Sequence, residues 1–118
     1  MTFERNGQAQ IMHILHPLGL RVTGEIDRSN RRVLARALRW ATRIDDQDIR
    51  LDLGGLSFID AAGLRLILAT AAGLRPGREL ILDPAPPAVR ELLARLGWGL
   101  TAGQRLYVPQ ASRQDPAQ

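Results

Sequence analysis

Cysteine is absent from the 118-residue sequence, and lysine is absent too, since all 16 basic residues are arginine. Without cysteine the chain has no disulfide, no thiolate metal ligand and no cysteine nucleophile, and a reducing cytoplasm is the expected location. Aromatic residues make up only 4% of the chain, so the core is expected to be aliphatic. No apolar run approaches the ~20 residues that span a bilayer, and the N-terminus lacks the order of a signal peptide. A membrane partner is therefore not expected.

The chain is basic, with a formal net charge of +4 and a sequence pI near 11.2. Because arginine is accompanied by abundant alanine, glycine, leucine and proline, part of this pI reflects the codon bias of a GC-rich genome. Charge alone is therefore weak evidence for a nucleic-acid partner. The length fits one domain, and a hydrophobic share of 45% is enough for a sizeable core.

Apolar periodicity and turn residues predict alternating strands and helices. Strands are predicted over 9–15, 20–26, 51–53, 58–59, 78–83 and 104–108, and helices over 27–43, 61–74 and 87–96. The expected fold is a single α/β domain over 9–109, between a loose segment 1–8 and a polar tail 110–118. Its four- to five-stranded mixed sheet begins with an N-terminal hairpin and carries three or more helices.

The central stretch, residues 51–74, passes from sheet to helix at Asp60. From Ala61 onward, apolar residues such as Leu64 and Ile67 recur at spacings of three and four, as one face of a helix requires. A carboxylate at a helix N-cap accepts hydrogen bonds from first-turn amides, so Asp60 is predicted to cap this helix. Gly63 is predicted to mark a close approach of another backbone.

The motifs Asp52-Leu53-Gly54, Phe58-Ile59-Asp60 and Gly63-Leu64 resemble the central motif of STAS domains, the fold shared by bacterial anti-sigma-factor antagonists. The segment Gly24-Glu25-Ile26-Asp27 and the run Pro-Pro-x-Val-x-x-Leu-Leu are similar to two further family motifs, so the resemblance covers residues 10–109. In the family, the residue after the central aspartate is the phosphoacceptor serine. Here that residue is Ala61, a degenerate phosphosite that cannot accept phosphate.

The resemblance implies a non-catalytic protein-interaction module that takes part in partner switching in transcription regulation. Its partner would be an anti-sigma factor or serine-kinase-like protein, bound through the turn and helix after Asp60. If Leu64 and Ile67 point into the core, the opposite face of that helix is unusually apolar, and such exposed patches mark protein contacts. The predicted partner-binding residues are Asp60, Ala61, Ala62, Gly63, Arg65, Leu66 and Ala69. Homodimerisation is an open alternative.

The first predicted helix has one apolar face and one basic face. Asp27 and Ser29 are both suited to cap its start. The residues expected to be buried are Val33, Leu34, Ala37, Leu38, Ala41 and Ile44. The other side carries a row of arginines, Arg32, Arg36, Arg39 and Arg43. This row is either an ordinary solvated face or a docking edge for an acidic partner or a phosphate backbone.

Side chains for catalysis are not arranged in any familiar pattern. His13 and His16 lie three apart beside the hairpin turn and are expected to be surface histidines. Ser57 has no nucleophile elbow around it, and Asp52 is explained by anchoring a loop. We therefore expect no enzyme activity, no catalytic residue, no metal and no cofactor. Two other functions stay open: sensing of a small anion or nucleotide at the Asp60 turn, and nucleic-acid binding through the arginine row. The second is disfavoured because interleaved aromatic residues are missing.

Overall fold

A computed structural model of the chain describes residues 2–6 and 8–107. The strands are β1 Thr2–Asn6, β2 Ala9–Leu15, β3 Leu18–Ile26, β4 Ile49–Asp52, β5 Leu56–Ile59, β6 Leu80–Leu82, β7 Gly99–Leu100 and β8 Leu106–Tyr107. The helices are α1 Arg31–Ile44, α2 Ala61–Ala72 and α3 Pro87–Arg95. Val108 of the predicted last strand and the predicted tail over 110–118 lie outside the described residues.

The main sheet has the strand order β1-β2-β3-β4-β6, with β5 beside the end of β3. The first three strands pair antiparallel, whereas β3 pairs in parallel with both β4 and β5, and β4 pairs in parallel with β6. β7 and β8 form a separate two-stranded sheet. This mixed α/β architecture, with its N-terminal hairpin and three helices, confirms the predicted fold class.

The N-terminal segment differs from the prediction, which treated residues 1–8 as loose. Thr2–Asn6 forms the edge strand β1, with Phe3 opposite Met12 of β2. The outer edge of β2 offers amide and carbonyl groups that require hydrogen-bond partners, and a neighbouring stretch of backbone supplies them whatever its side chains are. Apolar periodicity carries no signal for this pairing.

An interruption at Leu53-Gly54-Gly55 divides the stretch beside β3 into the two strands β4 and β5. The Leu56 amide donates to the Leu53 carbonyl at 3.0 Å, and the Gly54 amide donates to the Asp52 carboxylate at 2.9 Å. The predicted role of Asp52 in anchoring this loop is therefore confirmed. Because of the interruption, β4 pairs with β6 while β5 continues along β3 to its end.

The core lies between the sheet and the helices and is aliphatic, as predicted. Ile11, Leu20, Ile26, Leu34, Leu51, Leu64 and Ile67 are among its fully buried side chains. The prediction of a surface histidine is wrong for His13, which is buried and stacks on Trp40 of α1 with ring centroids 4.5 Å apart. His13 lies two residues after the buried Ile11 along β2 and so shares its inward face. His16 is exposed, as expected.

Helix α1 begins at Arg31, four residues later than the predicted start. The Asp27 carboxylate accepts hydrogen bonds from the amide and hydroxyl of Ser29, at 2.9 and 2.6 Å. The Asn30 side chain accepts from the Asp27 amide and donates to the Glu25 carbonyl. These polar residues therefore close a turn between β3 and α1, and none of their side chains caps the helix.

The other end of α1 is held by Arg78, which follows α2 in the chain. Its guanidinium donates to the carbonyls of Ala41, Thr42 and Gln47 at 2.7–3.0 Å. The bonds to Ala41 and Thr42 satisfy carbonyls that the helix end leaves unpaired, and the guanidinium places a cation at the negative end of the helix dipole. Ile44, predicted to be buried, is 49% exposed, because α1 ends there and the chain turns away in an extended conformation at Asp45.

None of the helices in the described residues is long and apolar enough to cross a membrane.

Candidate partner-binding surface

Asp60 connects the carboxyl end of β5 to the first turn of α2. Its amide donates to the carbonyl of Ile26, the last residue of β3, at 3.2 Å. Its carboxylate accepts a hydrogen bond from the Gly63 amide at 2.7 Å. The predicted N-cap is therefore confirmed, and the turn is fixed to the ends of two neighbouring parallel strands.

Arg31, the first residue of α1, brings a positive charge to the same turn. Its guanidinium lies 3.4 Å from the second carboxylate oxygen of Asp60, and both side chains are about one-third exposed. Solvent screens a pair of this kind, so its contribution to stability is small. Its geometric effect is larger, because the Asp60 carboxylate binds both the Gly63 amide of the first turn and the Arg31 guanidinium. A small anion at this turn would meet a carboxylate, so this geometry gives no support to anion sensing at Asp60.

Gly63 lies beneath the surface that the sequence assigns to a partner. A β-carbon at this position would come within 2.9 Å of Ile59 Cγ1 and 3.0 Å of Ile26 Cγ2. The glycine therefore lets α2 sit directly on the two strand ends, and the close approach is made by side chains of the sheet rather than by another backbone. As a buried residue, Gly63 is a support of the surface and offers no area for contact.

Four of the predicted contact residues form the outward part of α2. Arg65 and Ala69 are exposed, while Ala61 and Ala62 are half-buried. Three of these four side chains are single methyl groups, so only Arg65 projects far from the helix and another protein can approach the backbone closely. Ala61 directly follows the capping Asp60, the position at which the family resemblance places a phosphoacceptor.

Leu66 does not point outward as predicted. It is half-buried, packs against the core and lies in a groove of about 500 Å³ between α1 and α2. The groove is lined by Ala35, Leu38, Arg39 and Thr42 of α1, Leu66, Ala69 and Thr70 of α2, and Gly73, Leu74, Arg75 and Arg78 after it. The sequence treats the apolar outer face of α2 as one flat patch, but the neighbouring helix turns half of it into a groove.

The arginine row on α1 is present as predicted. Arg32, Arg36, Arg39 and Arg43 are all exposed, and α1 contains no acidic residue. The row is therefore a basic surface beside α2.

A second exposed apolar feature is missing from the sequence prediction. Phe58 is 50% exposed and lines a groove of about 230 Å³ between β5 and α3, together with Pro86, Ala88 and Leu92. The pairing of β3 with β5 shifts register between Gly24 and Glu25, so both Ser57 and Phe58 are exposed while Leu56 and Ile59 are buried. Simple alternation cannot reveal such a shift. The Ser57 hydroxyl donates to the Gly24 carbonyl at 3.0 Å and so holds the strand pair together.

Two carboxyl groups away from this surface have shifted pKa values. Hydrogen bonds from the Ser29 hydroxyl and amide hold the pKa of Asp27 below its ordinary 3.8. The Arg105 guanidinium, 2.9 Å from Asp48, lowers the pKa of that carboxyl, and the Glu79 amide adds a further hydrogen bond. Both groups stabilise loops and turns, and neither faces the outward part of α2.

A family model described as "Mlab, STAS domain" matches residues 11–101 of the chain. The match covers more than half of the sequence. It runs from β2 through α3 to the end of β7, and it includes the Asp60 turn and the whole of α2.

Proposed function

The chain belongs to the STAS domain family, and we propose that it acts as a non-catalytic module that binds a partner protein through the Asp60 turn and the outward part of α2. The observation that supports this is the surface formed by Ala61, Ala62, Arg65 and Ala69. Its side chains are small and largely apolar, and the described residues leave them exposed or half-exposed. Leaving such area in water is unfavourable by ~25 cal/mol per Å², and a partner recovers that free energy.

The proposed partner is an anti-sigma factor or serine-kinase-like protein in the cytoplasm of a bacterium. This choice comes from the sequence motifs around Asp60, since family membership alone is shared by domains with different partners. The rigid support of the surface favours recognition, because the Asp60 cap and the packing of Gly63 against the strand ends fix the first turn of α2 before any partner arrives.

Because residue 61 is alanine, phosphorylation at this position cannot switch off binding by this face. A phosphate at this position would add roughly two negative charges next to the Asp60 carboxylate and would disfavour a partner by repulsion and desolvation. The methyl group of alanine cannot carry that charge. In this proposal the complex is controlled by abundance, by a ligand or by another subunit, and not by phosphorylation at residue 61.

The test is affinity capture from the lysate of the source cell, with the wild-type chain and three variants. Arg65→Glu reverses an exposed charge on α2, and Ala61→Asp places a permanent negative charge at the degenerate phosphosite. Arg43→Glu is the matched control, because it reverses an exposed arginine at the far end of α1. We expect an anti-sigma factor to be retained by the wild type and Arg43→Glu, and to be lost with the other two variants.

Two outcomes would contradict the proposal. Equal retention by all four proteins would show that this surface does not bind the partner. Loss with Arg43→Glu alone would move the binding to the arginine row, and if the retained molecule were a nucleic acid, binding would weaken steeply with salt. Leu66→Asp is unsuitable here, because Leu66 packs against the core and the substitution would disturb the fold.

A further inference from the structure

The groove between α1 and α2 has an apolar interior, because the hydroxyl groups of its two threonines are bonded within their own helices. The Thr42 hydroxyl donates to the Arg39 carbonyl at 2.8 Å, and the Thr70 hydroxyl donates to the Leu66 carbonyl at 2.9 Å. Each threonine thus satisfies its hydroxyl within its own helix. What the groove offers a ligand is aliphatic surface from leucines and threonines between walls of small residues, such as Ala35, Ala69 and Gly73.

The charged residues that line the groove are all arginines. Its lining contains Arg39, Arg75 and Arg78 and no acidic residue. Arg75 is paired with Asp46, and Arg78 directs its donors to backbone carbonyls and also attracts the Asp48 carboxylate, so Arg39 is the main source of positive charge open to a ligand. Among the residues described, no carboxylate forms an ion pair with Arg39. The groove therefore has an apolar interior and a basic rim.

We propose that this groove binds an amphipathic helix of the partner protein whose apolar stripe is flanked by glutamate or aspartate. The inference rests on the proposed function and gives the partner its chemistry, since Ala69 belongs to both surfaces. An amphipathic helix places residues at i, i+3, i+4 and i+7 into such a groove, and its acidic flanks meet the basic rim. The walls run over Ala35–Thr42 and Leu66–Gly73, about two helical turns each, which suits two or three apolar anchors.

Other anionic ligands fit these observations less well. A single-stranded nucleic acid binds through stacking on aromatic side chains as well as through its phosphates, and the groove lining contains no aromatic residue. An anionic bilayer is entered by large apolar residues that project from the surface, whereas the leucines here are recessed between two helices. The acidic helix is the ligand that uses both the interior and the rim.

The experiment titrates the isotope-labelled chain with synthetic peptides of about 18 residues, long enough for several helical turns. The test peptide carries leucine at helical spacing with glutamate on both flanks. One control replaces every glutamate by lysine, and the other scrambles the leucines off a single face. We expect the test peptide to bind at least about tenfold more tightly than either control, with NMR shift changes at Leu66, Ala69 and Gly73.

Variants separate the groove from the rest of the surface. Arg39→Glu reverses the rim charge and Ala69→Trp fills the groove, and each should weaken the test peptide at least about tenfold. Arg43→Glu, outside the groove lining, should weaken it by no more than about threefold. The proposal is overturned if the test and scrambled peptides bind alike, if the shift changes lie away from the groove, or if single-stranded DNA or phosphatidylglycerol vesicles bind there more tightly than the peptide.

Capture from lysate distinguishes this proposal from the function on which it rests. If Arg39→Glu, which changes the groove alone, retains the partner that Arg65→Glu loses, the partner-binding function stands and the groove proposal fails. If no variant and no wild-type chain retains a partner, the proposed function fails, and the peptide titration alone decides whether the groove recognises an acidic helix.

Discussion

Substitution of Gly63 by alanine tests how α2 is seated on the sheet. Two effects oppose each other. Alanine in place of glycine favours a helix by about 1 kcal/mol in the interior, and somewhat less in the first turn. Against this, the new β-carbon would lie 2.9 Å from Ile59 Cγ1, 3.0 Å from Ile26 Cγ2 and 3.1 Å from Asp60 Oδ1.

The steric effect is expected to dominate. Both isoleucines are buried and belong to strand ends, so neither can move aside as the tip of a flexible side chain would. Overpacking a core by one carbon costs about 1–3 kcal/mol. After the gain in helix propensity, we expect Gly63→Ala to lower the free energy of unfolding by about 1–2 kcal/mol, which corresponds to roughly 4–8 °C in Tm for a domain of this size.

Gly73→Ala is the matched control at the other end of α2. Gly73 has φ −90° and ψ −1°, a conformation open to any residue, and a β-carbon there would be 3.4 Å from its nearest neighbour. This variant should be neutral or stabilised by up to about 1 kcal/mol. Urea unfolding of both variants measures the difference. If Gly63→Ala were as stable as Gly73→Ala, the direct packing of α2 on the strand ends would be refuted.

Two further predictions concern the C-terminal end of α1 and the stability of the fold in acid. Arg78→Met removes three charge-assisted hydrogen bonds and should lower the free energy of unfolding by about 2–3 kcal/mol, with Arg78→Lys intermediate; equal stability of both variants and wild type would contradict the capping role. The folded-state pKa values of Asp27 and Asp48 lie below 3.8, so the stability they contribute is complete above that pH and is lost as pH falls through the lowered values. Tm should therefore fall steeply only below about pH 4, and Asp48→Asn should make that fall shallower. If the pH dependence of Tm below about pH 4 were the same in Asp48→Asn and the wild type, the role of the Asp48–Arg105 pair would be refuted.

Features set by neighbouring residues could be predicted from the sequence. The Asp60 cap depends only on a carboxylate placed before an apolar helical period, and the interruption at Gly54-Gly55 depends on two consecutive glycines after an aspartate. The inward position of Gly63 was also available, because it lies on the same helical face as Leu64 and Ile67. The sequence prediction instead took its lack of a side chain as a sign of surface contact.

Features set by distant parts of the chain were not available in the same way. The groove beside Leu66 exists because α1 packs next to α2, and the periodicity of either helix alone is equally consistent with a flat outer face. The stacking of His13 on Trp40 joins a strand to a helix, although its spacing of two residues from Ile11 already indicated an inward histidine. The exposure of Phe58 follows from a register shift against β3, which is a property of the pair of strands.

The most direct measurement of the central claim is site-specific photo-cross-linking to a captured partner. A photoreactive residue replaces Arg65 on α2 in one protein and Glu91, an exposed residue of α3, in another. A partner bound over the turn and helix after Asp60 should cross-link from position 65 and not from position 91. Cross-linking from position 91 alone, or equally from both positions, would contradict the proposed surface.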